Sequence, residues 1–239
     1  KYKIKLVQVI VRPGRRTPLY KLPLDNKLSW PQPQLGQLTF EGKQELIDLG
    51  KQFRARYVLS NNNQNLLPEQ FQGVGLSFIY ARSTDTERAL ETAQMFLKGL
   101  YPDAVVPVRV ATTEEDFLLL GSRLCSKMDK RRQLVQEELN RSGKYDELFQ
   151  QLQKHTGIEH VSMSNFRTIA DSLLTLKDMN ALQNKKMPAK LSSIPIKTLE
   201  KTKDLLDKYF HDVYSKIDSG RMACGNLLRG VIERIVSIT

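Results

Sequence analysis

The chain has 239 residues, enough for one domain of ordinary size or one domain with a small insertion. Hydrophobic residues make up 40% and charged residues 26%, which argues against a disordered chain, and the longest apolar runs, such as Phe117 to Leu120, are far too short to cross a bilayer. Lys plus Arg total 37 against 26 acidic residues, a formal charge of +11 spread along the chain without a basic tail; that surface permits an anionic partner but gives nucleic acid only weak support.

Residues Lys3 to Val11 alternate and then run apolar, which predicts a strand buried on both faces and ended by Arg12-Pro13-Gly14. Four prolines between Pro18 and Pro33 mark a long irregular loop. Thr39 is placed to cap a helix whose apolar positions Leu46, Leu49, Phe53 and Tyr57 step by three and four residues. The polar tract Asn61 to Asn65 reads as a surface turn. A second short strand is predicted over Leu76 to Tyr80, and Ser83-Thr84-Asp85 before Glu87 predicts the start of a helix running to Gly99.

Val105 to Val110, interrupted by Pro107, gives a third strand candidate. From Cys125 to about Lys186 the pattern is helical with one break at Thr156-Gly157; Pro188 and Pro195 bracket a loop, and closing helices are expected at about 198–215 and 222–235. Strand and helix alternate first and helices dominate later. The expected fold is therefore α/β, a mostly parallel sheet flanked by helices with an all-helical insertion. The expected division is 1–120 for the first part of the α/β core, 121–195 for the helical insertion and 196–239 for helices returning to the core.

Chemistry-bearing motifs are few. Cys125 and Cys224 are about a hundred residues apart and belong to no CxxC or Cys/His spacing, so neither a zinc site nor a disulfide scaffold is expected. Gly73-Val74-Gly75 precedes its strand instead of following it and lacks a third glycine, which rules out a dinucleotide fingerprint; no phosphate loop and no GxSxG elbow occurs. His155, His160 and His211 have no second ligand at metal spacing, and no cofactor is expected. Asn140-Arg141-Ser142 fits a glycosylation acceptor, a triplet frequent by chance.

Arg12, Arg16 and Arg82 each follow a predicted strand, at the edge where an α/β sheet places its ligand crevice. Converging guanidinium groups there would suit phosphate oxygens. The same arginines could equally cap carbonyls or pair with carboxylates such as Asp85.

The stretch Val11-Arg12-Pro13-Gly14-Arg15-Arg16-Thr17-Pro18 resembles the R-H-G-x-R-x-P signature of the histidine acid phosphatases, branch two of the histidine phosphatase superfamily. Residues 36–57, GQLTFEGKQELIDLGKQFRARY, are similar to that family's L-T-x-x-G helix, and residues 80–102, YARSTDTERALETAQMFLKGLYP, to its R-S-T-D segment. Glu115-Asp116-Phe117-Leu118-Leu119 with Cys125, Asp171-Ser172-Leu173 and Gly225-Asn226-Leu227-Leu228 also resemble family features, so the likeness runs along essentially the whole chain.

The resemblance implies a phosphomonoesterase fold in which a histidine attacks phosphorus while Arg12, Arg16 and Arg82 bind the phosphoryl oxygens. The nucleophile would stand at residue 13, which is proline. Proline offers no nucleophile and no titratable group, so the phosphohistidine route is closed to it. The family's His-Asp pair, whose acid protonates the leaving group, would lie beyond Thr239. The expectations are therefore an inactive, C-terminally truncated relative with an incomplete sheet, working as a structural or interaction subunit with other protein subunits covering that sheet. An active phosphatase, and a module binding phosphate or a phosphorylated ligand through the three arginines, are the alternatives. With no disulfide framework a reducing compartment is expected, the mitochondrion ahead of the cytoplasm, with lysosome or secretion, as in active relatives, the remaining alternative.

Overall fold

The structure, a computed structural model, describes residues 3–23, 34–59, 65–71, 78–183 and 192–238. Its elements in chain order are α1 (Phe40–Tyr57), β1 (Ala81–Thr84), α2 (Glu87–Leu100), β2 (Val108–Ala111), α3 (Gly121–Leu124), α4 (Ser126–Arg141), α5 (Asp146–Thr156), α6 (Met163–Gln183), α7 (Ile196–Tyr214) and α8 (Ile217–Val236). The chain folds as two compact units. The first comprises residues 1–16, 38–124 and 224–239, the second residues 17–37 and 125–223.

The first unit is α/β. Thr39 adopts an extended conformation and its hydroxyl accepts a hydrogen bond from the Gly42 N–H at 3.0 Å, so α1 starts where the sequence predicts. Glu41 in its first turn and Arg54 and Arg56 in its last complement the helix dipole. α1 packs on α2 through Gly50 and Gly99: a Cβ on either would lie 2.9 Å from the other's Cα and would collide with a backbone carbonyl of the facing helix. Only two glycines allow so close a crossing. Leu97, Leu100, Tyr101, Val106 and Val58 fill the core beneath, and Ile79, Ala81 and Val108 pack against it.

β1 and β2 run parallel, joined through α2, in the register Ala81↔Val108, Arg82↔Arg109, Ser83↔Val110 and Thr84↔Ala111. The α/β class is as expected, with a small, open parallel sheet. Three local expectations change. Residues 3–11 form no strand among the described residues, and Val9, Ile10 and Val11 are 43%, 70% and 41% exposed. Their apolar run predicts burial, but burial needs a neighbouring ladder, and β1 pairs with β2 instead. The second strand begins at Ala81, after the predicted stretch, whose residues 76 and 77 lie outside the described residues. Ser83 and Thr84 therefore belong to β1, and the helix cap falls on Thr86, which is extended and makes no side-chain cap bond. Pro107 precedes β2 instead of interrupting it, as its missing N–H requires.

The second unit is helical, built from α4 to α7 and the first turns of α8 around a core that includes Met128, Leu152, Met163, Phe166, Leu173 and Tyr209. The expected break is present: Gly157 takes φ +73 after α5 and its N–H returns to the Gln153 carbonyl. A second break, at Gly143 with φ +63, separates α4 from α5. The closing helices lie close to their expected spans. Ahead of them, the start of the proline-rich loop is tied to α6, where the Ser172 hydroxyl donates to the Tyr20 carbonyl at 2.9 Å and Leu22 is buried. The rest of that loop, the tract Asn61 to Gln64, Gly73 to Gly75 and Pro188 lie outside the described residues.

Candidate functional site

All three singled-out arginines fall in the first unit. Arg12 and Arg16 lie on the loop before α1, and that loop is fixed by its backbone. The Gly14 N–H donates to Thr92 Oγ1 on α2 at 3.1 Å, and Thr92 in turn donates to the Arg88 carbonyl. The Thr39 N–H donates to the Arg15 carbonyl at 2.9 Å, and Arg16 forms an antiparallel bridge with Leu38. Gly42 lets this contact form, because a Cβ there would strike the Arg15 backbone. The loop is thus pinned between the N-terminal turn of α1 and the middle of α2.

Side chains on that loop fare differently. Arg12 and Pro13 are exposed and Arg16 is half-buried. Arg15 pairs with Glu45, Nε to Oε1 at 3.0 Å, both half-exposed.

Arg82 is held differently again. It stands on β1, its side chain 23% exposed, and Nη2 donates to Asp116 Oδ1 at 2.7 Å. Asp116 is fully buried in the loop after β2, where Oδ1 also accepts the Leu119 N–H at 3.1 Å. Burial alone would push the Arg82 guanidinium down, but hydrogen bonding to Tyr80 and Asp116 outweighs it and raises it above the ordinary arginine value. The carboxylate partner is therefore Asp116, 34 residues away, not Asp85, which is exposed. Arg82 Nε and Asp116 Oδ2 are buried and have no hydrogen-bond partner among the described residues.

Sequence reasoning assigned no role to Asp116 or to Thr92. For Asp116 a signal existed, since Glu115-Asp116 lies in a stretch already marked by its family likeness; for Thr92, one polar residue on an otherwise ordinary helix, there was none. The three histidines all lie in the second unit, so none shares a unit with Pro13. Among the described residues no group of three or more His, Cys, Asp or Glu could hold a metal ion, and no helix is long and apolar enough to cross a membrane. Chemically, Arg12 stands exposed and Arg16 half-buried on the loop, Arg82 is paired with Asp116, and the proline at residue 13 offers no nucleophilic atom.

The family model described as histidine phosphatase superfamily (branch 2) matches residues 3–216. The chain is 25% identical to the lysosomal acid phosphatase of Xenopus laevis over 252 residues, covering 98% of this chain and 55% of that protein. It is 36% identical to the testicular acid phosphatase of Homo sapiens over 128 residues, 47% of this chain and 28% of that protein. Among solved structures, the phytase of Citrobacter braakii superposes with a TM-score of 0.54 at 17% identity, covering 84% of this chain and 58% of that one. The Hafnia alvei phytase in complex with tartrate gives the same TM-score of 0.54 at 19% identity and the same coverage, 84% and 58%. These structures share the fold. The chain spans about half the length of the curated relatives it matches along its whole length, 55% for the Xenopus laevis protein.

Proposed function

Because the chain belongs to the histidine phosphatase superfamily (branch 2), we propose that it is a non-hydrolysing acid-phosphatase-like protein, not an enzyme, that serves as an interaction subunit of a larger assembly. Pro13 carries this reading. It stands in the loop where the family resemblance requires the attacking histidine, and its ring can neither accept a phosphoryl group nor shuttle a proton. The neighbouring scaffold, with Gly14 on Thr92 and Arg15 on Thr39, is fully formed around it. The interaction role is supported by apolar surface in the first unit, where Ile10, Leu228, Ile232 and Val236 are exposed.

Steady-state assay of p-nitrophenyl phosphate and of an alkyl phosphate, together with the native mass of the protein gently extracted from its source, tests this reading. Background turnover and a mass well above that of a monomer, with constant partners, are expected. Turnover that disappears in Arg82→Ala would establish an active phosphatase with another nucleophile.

The exposed Arg12 and half-buried Arg16 on the pinned loop favour a second reading, in which Arg12, Arg16 and Arg82 bind phosphate or a phosphorylated ligand without turning it over. A fixed, permanently charged guanidinium keeps its value for an anion when the nucleophile is gone. Phosphate-dependent thermal stabilisation that is lost in Arg12→Ala tests it. The lysosomal names of relatives such as the Xenopus laevis protein support a lysosomal or secreted location for this chain. The mitochondrial expectation finds no support in them.

A further inference from the structure

The two faces of the β1–β2 pair differ in chemistry. Ile79, Ala81 and Val108 turn toward the α1–α2 core. The register partners Arg82 and Arg109 therefore stand side by side on the opposite face, with Tyr80 two residues before Arg82. Arg109 places its guanidinium carbon 4.9 Å from the centroid of the Tyr80 ring, and Arg234 of α8 places its own at 4.0 Å. Two guanidinium groups thus share one aromatic ring, whose quadrupole eases their approach but leaves both charges uncancelled.

Carboxylates do not cancel them either. Asp116 is committed to Arg82, and Glu233, the acidic neighbour on α8, is committed to Arg229 at 2.8 Å. Arg109 and Arg234 form no ion pair among the described residues. Both are exposed, and Tyr80 is 40% exposed. The result is a solvent-accessible pair of forked donors that share one phenol ring, built from two different elements, with Arg109 the register partner of Arg82. Forked donors match the oxygens of phosphoryl groups.

We propose that Tyr80, Arg109 and Arg234 form a second phosphoryl-binding site beside Arg82, so that a ligand carrying two neighbouring phosphoryl groups binds more tightly than one carrying a single group. The link to Arg82 rests on the anion-binding reading above, whereas the Tyr80 site stands on its own geometry.

Isothermal titration of the full chain with orthophosphate and with pyrophosphate, at fixed ionic strength, tests the proposal. Pyrophosphate is expected to bind about tenfold more tightly. Arg109→Ala with Arg234→Ala should abolish that preference, leaving pyrophosphate bound no more tightly than orthophosphate. Lys127→Ala with Lys130→Ala, which removes the same charge from another exposed surface, should leave the preference intact. Should the alanine pair fail to fold, Arg109→Lys with Arg234→Lys keeps the charge, loses the forks and should retain only part of the preference. An unchanged preference in the arginine variants, an equal loss in the lysine control, or no pyrophosphate binding by the parent protein overturns the proposal. Pyrophosphate binding that needs Arg109 and Arg234 but not Arg12 would sink the anion-binding reading of the three arginines and leave this site standing.

Discussion

Arg82 donates from Nη2 to Oδ1 of Asp116 at 2.7 Å, and Asp116 has no solvent exposure at all. A buried carboxylate is costly unless paired, and removing one partner strands the other. Asp116→Ala is therefore expected to destabilise the first unit by about 3 kcal/mol. Asp116→Asn, which keeps an oxygen for Arg82 and for the Leu119 N–H but loses the charge, should cost about half as much. Denaturant unfolding of both variants checks the order. Equal stability of wild type and Asp116→Ala would mean that the pair is not closed in solution.

The same pair leaves the pH behaviour of anion binding to the ligand. The Arg82 guanidinium is raised above its ordinary value, so the stability it contributes is fully present below that value and is lost only as pH rises through the still higher folded-state one. Arginine does not titrate in the neutral range. What titrates is the ligand, since a phosphate monoester gains its second negative charge near about pH 6. Affinity for such a ligand is expected to rise between about pH 5 and about pH 8 and then level off. A fall in affinity above about pH 6, measured by titration calorimetry, would overturn this expectation.

The crossing of α1 and α2 leaves no room at Gly50 or Gly99, where a Cβ would meet Phe96 or Ile47 carbonyl oxygen respectively. Alanine favours helices over glycine by about 1 kcal/mol, so propensity alone predicts that Gly50→Ala stabilises. Overpacking decides the sign here. Each single alanine should destabilise by about 2 kcal/mol or more, because the helices must separate. Thermal melts of the two variants test this, and a raised melting temperature would show that the helices cross less closely.

These cases separate what the chain's own letters encode from what they do not. Thr39 and Gly157 act within one turn of their own helices, through a hydroxyl on an N–H and a left-handed φ, so local chemistry was enough to place them. Val9, Ile10 and Val11 look equally decisive, yet a strand's burial depends on another strand lying alongside it, and the apolar run says nothing about that neighbour. The site divides in the same way. Arg12 and Arg82 are expected just after strands, but residues 3–11 form no strand among the described residues and Arg82 stands within β1, while Asp116 meets Arg82 across 34 residues, a proximity no spacing rule contains.

Capping at the head of α1 gives a further check, because the cap also braces the arginine loop. Thr39 Oγ1 accepts from the Gly42 N–H while the Thr39 N–H donates to the Arg15 carbonyl. Thr39→Ala removes only the first of these and should cost about 1 kcal/mol. Thr39→Ser should restore most of it. If the loop depends on the cap, phosphate-dependent stabilisation should also weaken in Thr39→Ala, which paired melts with and without phosphate will show.

Restoring histidine at residue 13 isolates the nucleophile from the rest of the chemistry. Pro13 is exposed, so Pro13→His faces no packing penalty, and it returns an N–H and a freer φ to the loop. Attack on phosphorus needs that histidine, but expulsion of an alkoxide also needs a proton, a contribution typically about 10² to 10⁴ in rate. Asp116, the carboxylate that meets Arg82, is buried and committed to that ion pair. Pro13→His is therefore expected to leave hydrolysis of an alkyl phosphate at background. An aryl phosphate, whose leaving group departs unprotonated, should give at most a single phosphorylation of the new histidine. Rapid quench with a labelled aryl ester, beside steady-state assay of the alkyl ester, separates the two. Sustained alkyl phosphate turnover in Pro13→His alone would show that the chain holds a proton donor, and would leave the proline as the sole lesion.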